Sequence, residues 1–572
     1  MLIYHSNKMK EYLFLFILFT NIILLGALEV NPQTFKALLS TAESGSILEL
    51  TSGTYKDAPY KLSNSGKVGN PITIKLKSQD NVKFESSNEG CIFELDRKSY
   101  INIEGEMELS NAECGIKVVD SNNIIITGLK LHDMKKEAII ASGENIEILN
   151  NEIYNCVLDS KDNRQSIIYG TNQCTKTLGI NQNSEFSKNI TFKNNNIYNG
   201  YGEGIKFSYC DGCSAISNTI KNTLSINVYL YSSKDTLIQG NIIKVTNNDY
   251  NSKFGKAIGI GLSTDSTYDI ENVEIQNNLI IGCRIGIYYF ITGTGSYKAV
   301  NIYHNTLWKI DITPIWFTEP IKTPSTSKLY NNFIYHNKQS HLLPKSNWEK
   351  GYNIFYNTDK VPPQYEDSNS DSGTSNGIGK MSINEIFNNL DGKCDYNNNM
   401  DLNISCFRPN SNDKTIYHTG KKINEDEKDI EGCSRENKPS IGAFESPEGC
   451  EVEPIIDNDV AFKIHYITGS GEVVQLIGTL CNWNETGKCI TLEKNSDNYW
   501  KTVLKSGTTK FFEYKFAIFN GSKVTRWENN HNRNFNGQEL AKMAEKETTG
   551  TYGNCNYIKS GNIITLTCSW QE

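Results

Sequence analysis

From about residue 115 to 340 one short phrase recurs: a β-branched pair, one or two Asn or Gly, then another apolar pair. It reads Ile146-Glu147-Ile148-Leu149-Asn150-Asn151-Glu152-Ile153, and later Ile190-Thr191-Phe192-Lys193-Asn194-Asn195-Asn196-Ile197. The Asn that marks each copy stands at 151, 195, 218, 241, 278, 305 and 332, with gaps of 44, 23, 23, 37, 27 and 27. One coil of 22 to 27 residues accounts for these steps, the 44 as two coils; the 37 needs an insertion, read at Ser263 to Asn272. A repeat this short cannot enclose its own apolar face, so successive copies must stack. Short alternating strands with few helix signals make the stack an all-β solenoid, a parallel β-helix. Asn tolerates left-handed backbone and can pair with an Asn of the next coil, so it is expected at the corner.

With 572 residues, a second domain is expected beside the solenoid. The net charge of -8 argues against nucleic acid or an anionic membrane surface as partner. At the N-terminus, Lys8 and Lys10 precede an apolar run from Tyr12 to Leu25, and Gly26-Ala27 offers small residues for cleavage. Residues 1–27 therefore read as a secretory signal, too short to span a bilayer, and the mature protein as extracellular with no membrane segment. In an oxidising compartment the fifteen cysteines imply several disulfides and one thiol left over. Cys481/Cys489 and Cys555/Cys568 are expected to pair locally or with each other, and Cys210-Asp211-Gly212-Cys213 is read as structural. Asn189, Asn403, Asn484 and Asn520 head glycosylation sequons.

A second phrase repeats at Gly115-Ile116-Lys117, Ala138-Ile139-Ile140, Gly204-Ile205-Lys206 and Asn227-Val228-Tyr229. These copies should stack in one sheet, with Ile116, Ile205 and Val228 inward and Lys117, Lys206 and Tyr229 outward. Glu203, Asp211, Asn227, Lys256, Asp265 and Arg284 are expected near the same edge. A lyase on such a face needs a base and positive charge beside a uronate, for which Lys206, Lys256 and Arg284 are candidates. An inverting hydrolase needs two carboxylates, which Glu203, Asp211 and Asp265 offer. No nucleophile elbow, metal-binding His pair or phosphate loop is present, so no cofactor or metal is expected. Asp395 to Asp401 lacks the Gly and terminal Glu of a calcium loop.

After a linker at 446–457 the pattern changes. Phe462-Lys463-Ile464-His465-Tyr466, Val473 to Gly478, Trp500 to Leu504, Phe511 to Phe519 and Ile563 to Cys568 alternate as antiparallel strands of a small β-sandwich over 458–572. Along them lie Trp483, Glu513-Tyr514-Lys515-Phe516, and Arg526-Trp527-Glu528 followed by Asn532. That order resembles the family 20 carbohydrate-binding modules, which bind starch. The resemblance implies that Trp483 and Trp527 cover two successive glucoses and that Lys515 donates to sugar hydroxyls. It further implies that Glu528 and Asn532 form a polar rim and that Trp500 is core. Flat indoles suit the apolar faces of sugar rings, and charged or amide groups suit their hydroxyls. Ser470 and Glu493 stand where the family's second site has tyrosines, so one starch site is expected.

Ser46 to Tyr55 with Gly69-Asn70-Pro71-Ile72-Thr73-Ile74 resembles the opening coils of the chondroitinase B and alginate lyase group, and Ile441 to Glu445 resembles a closing phrase of secreted β-helices. With strand-twist preference, this implies a right-handed β-helix over 28–445. Residues 357 to 380 read as an excursion from it. The expected protein holds starch at its C-terminus and carries either a polysaccharide-degrading β-helix or a non-catalytic adhesin or scaffold.

Overall fold

The computed structural model describes residues 27–447 except 78–80, 161–175, 181–185, 247–256, 265–267, 292–294, 319–325, 337–347, 357–376, 379–386, 388–403, 413–415 and 425–426. It also describes residues 459–569 except 466–471, 479–489, 495–498, 505–510, 521–522, 528–532, 537–539, 541–548, 553–554 and 561–562. The chain divides into two compact units between Cys450 and Glu451.

The first unit is a parallel β-helix with three faces. The first face stacks strands such as Lys176–Ile180, Glu203–Ser208, Ile226–Tyr231, Ile258–Thr264, Ile285–Ile291 and Thr313–Phe317. The second stacks Ser187–Lys193, Ser214–Ile216, Lys234–Gln239, Ile270–Gln276, Tyr297–Tyr303 and Ser327–Tyr330. Cys114–Thr127 and Ile139–Leu149 are long enough to run through both. The third face is a separate sheet of thirteen short strands from Gly53–Tyr55 to Gly377–Ile378. Each face sends apolar columns, largely β-branched or Leu, inward. On the first face Ile116, Ile139, Leu178, Ile205, Val228, Ile260, Ile287 and Ile315 lie in register.

The corner Asn residues form one buried ladder at the turn from the second face to the third. Asn241 Oδ1 accepts from both the backbone N–H and Nδ2 of Asn218, while Asn241 Nδ2 donates to Asn278 Oδ1 and to the Ala215 carbonyl. The same set repeats from Asn151 to Asn353. The left-handed backbone, however, belongs to the residue before each ladder Asn: Asn150, Asn194, Ser217, Gly240, Asn277, His304 and Asn331 all have positive φ. That twist turns the corner and leaves the next side chain facing inward. Two spacing inferences are corrected. Asn151 bonds Asn195 directly, so the gap of 44 is one coil with a long insertion before Lys176–Ile180, not two coils. The insertion in the 37-residue step lies mainly between Ile242–Lys244 and Ile258–Thr264, not at Ser263 to Asn272. Gly377–Ile378 pairs with Ile354–Phe355, so this part of the presumed excursion belongs to the sheet.

A helix at Phe35–Thr41 closes the N-terminal end, its Phe35 ring packed among Tyr55, Tyr60, Phe84 and Phe93. At the other end the chain turns back instead of adding coils. Residues 427–445 lie along the ladder corner, where Ala443 N–H donates to Thr306 and Arg435 to Asn277. Disulfides join Cys91 to Cys114 across two coils and Cys210 to Cys213 within a turn. Cys156 and Cys283 are both buried thiols, so more than one is left over. Each points into the apolar core of a different coil, where burial pushes the Cys156 thiol up to about 12 and keeps it inert.

The second unit is two small sheets. One orders Glu493–Lys494, Tyr499–Leu504, Asp459–His465, Ile563–Ser569, Cys555–Ser560 and Thr549–Tyr552. The other orders Ile490–Thr491, Glu472–Gly478, Phe511–Asn520 and Lys523–Trp527, with Arg533–Asn536 also on Phe511–Asn520. The pairs are antiparallel except that Asp459–His465 runs parallel to Ile563–Ser569. Phe462, Ile464, Leu476, Tyr514, Phe516 and Leu566 fill its core with Trp500, which is 4% exposed. A disulfide ties Cys555 to Cys568.

Candidate functional sites

The first face presents an outward column in strict register: Lys61, Glu94, Lys117, Ile140, Gly179, Lys206, Tyr229, Gly261, Tyr288 and Trp316. Its N-terminal part is charged and its C-terminal part aromatic. Lys206 stands at the junction, its Nζ 4.9 Å from the Tyr229 ring centroid and 5.8 Å from that of Tyr231. Tyr229, expected to face solvent, is only 7% exposed, because Lys206 and Phe290 cover its ring while its hydroxyl bonds Ser263.

The structure brings together only some of the expected catalytic residues. Glu203 shares a strand with Lys206 but is 1% exposed, and its Oε2 has no hydrogen-bond partner. Asp211 lies past the bend at Tyr209, in register with the second face, and pairs with Lys234 at 3.0 Å. Asn227 is a buried corner residue that accepts from Thr223 and donates to the Ile258 carbonyl. Arg284 is exposed just before Ile285–Ile291. Lys256 and Asp265 lie outside the described residues.

Sequence reasoning missed the continuity of the aromatics. Ring centroids follow one another at 5.0 Å (Trp316–Tyr288), 5.0 Å (Tyr288–Phe290), 6.0 Å (Phe290–Tyr229), 6.3 Å (Tyr229–Tyr231) and 5.3 Å (Tyr231–Tyr209). The signal was present in Tyr288, Phe290 and Trp316, but these coils lack the Gly-Ile-Lys wording that marked the face.

In the second unit Lys515 is half-buried between the core residues Tyr514 and Phe516 and faces away from them. The register sets Trp527 opposite Ala517, two residues along the strand from Lys515, so both positions belong to one sheet face. Opposite the Ile518–Phe519 step the partner strand has one extra residue, Thr525, a bulge that precedes Trp527 and re-aims its strand. Trp483, Glu528 and Asn532 lie outside the described residues.

Residues 457–547 match the family model of the starch binding domain. The C-terminal unit thus carries a module whose family binds starch or related glucans. A starch-binding domain of family 20 from the maltotetraose-forming amylase of Pseudomonas saccharophila STB07 is similar at 18% identity, covering 19% of this chain and 98% of that one, with a TM-score of 0.14. An alginate lyase from Paenibacillus sp. str. FPU-7 is similar at 16% identity, covering 49% of this chain and 97% of that one, with a TM-score of 0.40. A PL6 family polysaccharide lyase from Pseudopedobacter saltans is similar at 13% identity, covering 59% and 94%, with a TM-score of 0.40. No curated protein matches the chain.

Proposed function

We propose that the protein is secreted and held on starch by its C-terminal module, which delivers the β-helix to polysaccharide in the same material. The match of residues 457–547 to the starch binding domain carries this reading. The register that sets Trp527 and Lys515 on one face supports a single site there, with Trp483, Glu528 and Asn532 completing it. Cys91–Cys114 and Cys555–Cys568 support an oxidising compartment. No helix among the described residues is long and apolar enough to cross a membrane. Tethering raises the β-helix's effective concentration at an insoluble substrate without any new contact.

Trp527→Ala should remove most of the full-length protein's retention on granular starch in a pull-down assay. Lys515→Ala, removing a charged donor, should weaken it by roughly tenfold. Unchanged retention in the Trp527 variant would sink the assignment.

A second reading, a non-catalytic adhesin or scaffold, is favoured by the state of the carboxylates. Asp211 is engaged by Lys234 and Glu203 is shut from solvent. Mass spectrometry of soluble products from starch and pectin separates the readings: hydrated products mean a hydrolase, unsaturated ones a lyase, and none from either the scaffold.

A further inference from the structure

The first face of the β-helix is flat, crosses coil after coil, and from Tyr229 onward its outward positions are rings, hydroxyls and one glycine. Tyr231, Tyr288, Phe290 and Trp316 are half-buried, each showing part of its ring to solvent. Adjacent coils lie about 4.8 Å apart. Tyr229 and Phe290 are two coils apart, yet their rings stack at 6.0 Å and 16°. They can meet only by leaning over the coil between them, which presents Gly261. A Cβ there would lie 3.0 Å from two carbon atoms of the Ile226 side chain. Gly261 thus leaves room for the Ile226 side chain beside it, and the rings follow one another along the solenoid axis.

Charge defines what such a surface can hold. Positions 229, 231, 261, 263, 288, 290 and 316 carry no ammonium, guanidinium or carboxylate. Lys206, at the N-terminal end, is turned onto the Tyr229 and Tyr231 rings. A polyuronate lying here would find no cation for most of its carboxylates. The apolar faces of uncharged sugar rings would find successive aromatic faces, with Tyr hydroxyls at their rims. The rings are already fixed by stacking on one another, so little side-chain freedom is lost on binding.

We propose that this aromatic stripe is a second glycan-binding surface, which takes an extended, uncharged polysaccharide chain along the axis of the β-helix. It rests on the reading of the protein as one that works on starch-containing material, but on none of the module's residues. The test is affinity electrophoresis of the full-length Trp527→Ala protein through gels containing soluble starch or polygalacturonate. The expected result is retardation by soluble starch that persists in Trp527→Ala and falls by roughly tenfold when Tyr288→Ala and Trp316→Ala are added. Covalent labelling read by mass spectrometry needs no stripe variant: in Trp527→Ala, soluble starch should protect Tyr288 and Trp316. Loss of all retardation and protection in Trp527→Ala would overturn the stripe and leave the module's role intact. Retardation by polygalacturonate alone would overturn the uncharged class. Granular-starch retention undiminished by Trp527→Ala would instead remove the module's role and not touch the stripe.

Discussion

The side chain of a ladder asparagine makes four hydrogen bonds in a place no water reaches, and the set depends on both of its neighbours. Replacing Asn241 with Leu would take the partner from the Asn218 backbone N–H, from one of the two Asn218 amide N–H groups and from the Ala215 carbonyl at a buried corner. Each orphaned group costs about 1–3 kcal/mol, so a loss of roughly 3–9 kcal/mol is expected in denaturant unfolding of the β-helix. The ladder shows where a Leu is tolerated. Leu129 occupies its N-terminal end, where only its N–H needs a partner and Asn151 Oδ1 supplies it. The asparagines were legible in the sequence because their side chains do what the backbone cannot, and such positions admit few other residues. The left-handed position before them was not legible, because Asn, Ser, Gly, His and Tyr all occupy it.

At the scale of elements, strand identity was plain and insertion placement was not. Period-2 alternation names the inward residues, but a loop leaves no periodic trace, so the extra length of two coils was assigned wrongly. The stripe was half legible for the same reason: Lys206 and Tyr229 stood in a recognisable phrase, whereas Tyr288 and Trp316 needed the register. Nor did the sequence mark how the returning segment docks. His304, in left-handed backbone, is fully buried under it, with Nδ1 donating to the Ser440 carbonyl and Nε2 accepting from Asn331. Glu427 lies 3.1 Å from Nε2, yet burial and then the Arg435 guanidinium pull the imidazole down to about 4. The folded state therefore holds His304 neutral, while the unfolded chain takes up a proton near pH 6.5. Its contribution to stability is whole above pH 6.5 and is lost as pH falls toward 4. Burial raises Asp429 and Glu445, whose contributions run in the opposite sense, so the comparison must be internal. His304→Asn keeps the left-handed backbone, as Asn277 and Asn331 do in the coils on either side. Its melting temperature should fall less than that of the wild type between pH 6.5 and 4.5, and an equal fall would mean the imidazole does not govern this docking.

At the scale of the molecule, two units each have a core of their own: one of stacked Ile and Leu columns, one of Phe462, Trp500, Tyr514 and Phe516. Their contact patterns differ in kind. Every coil of the β-helix leans on the next, so damage at one coil is felt by its neighbours along the stack. The sandwich joins its first and last strands side by side, so its cooperativity is closed within residues 459–569. Calorimetry of the full-length protein should therefore show two transitions. Trp500→Ala, opening a cavity worth about 3–5 kcal/mol, should lower only the sandwich transition, and Asn241→Leu only that of the β-helix. A single transition shifted by both would mean that the units melt as one. That outcome would bear on function as well, because a module that tethers a working domain can be exchanged or removed only if the two fold separately.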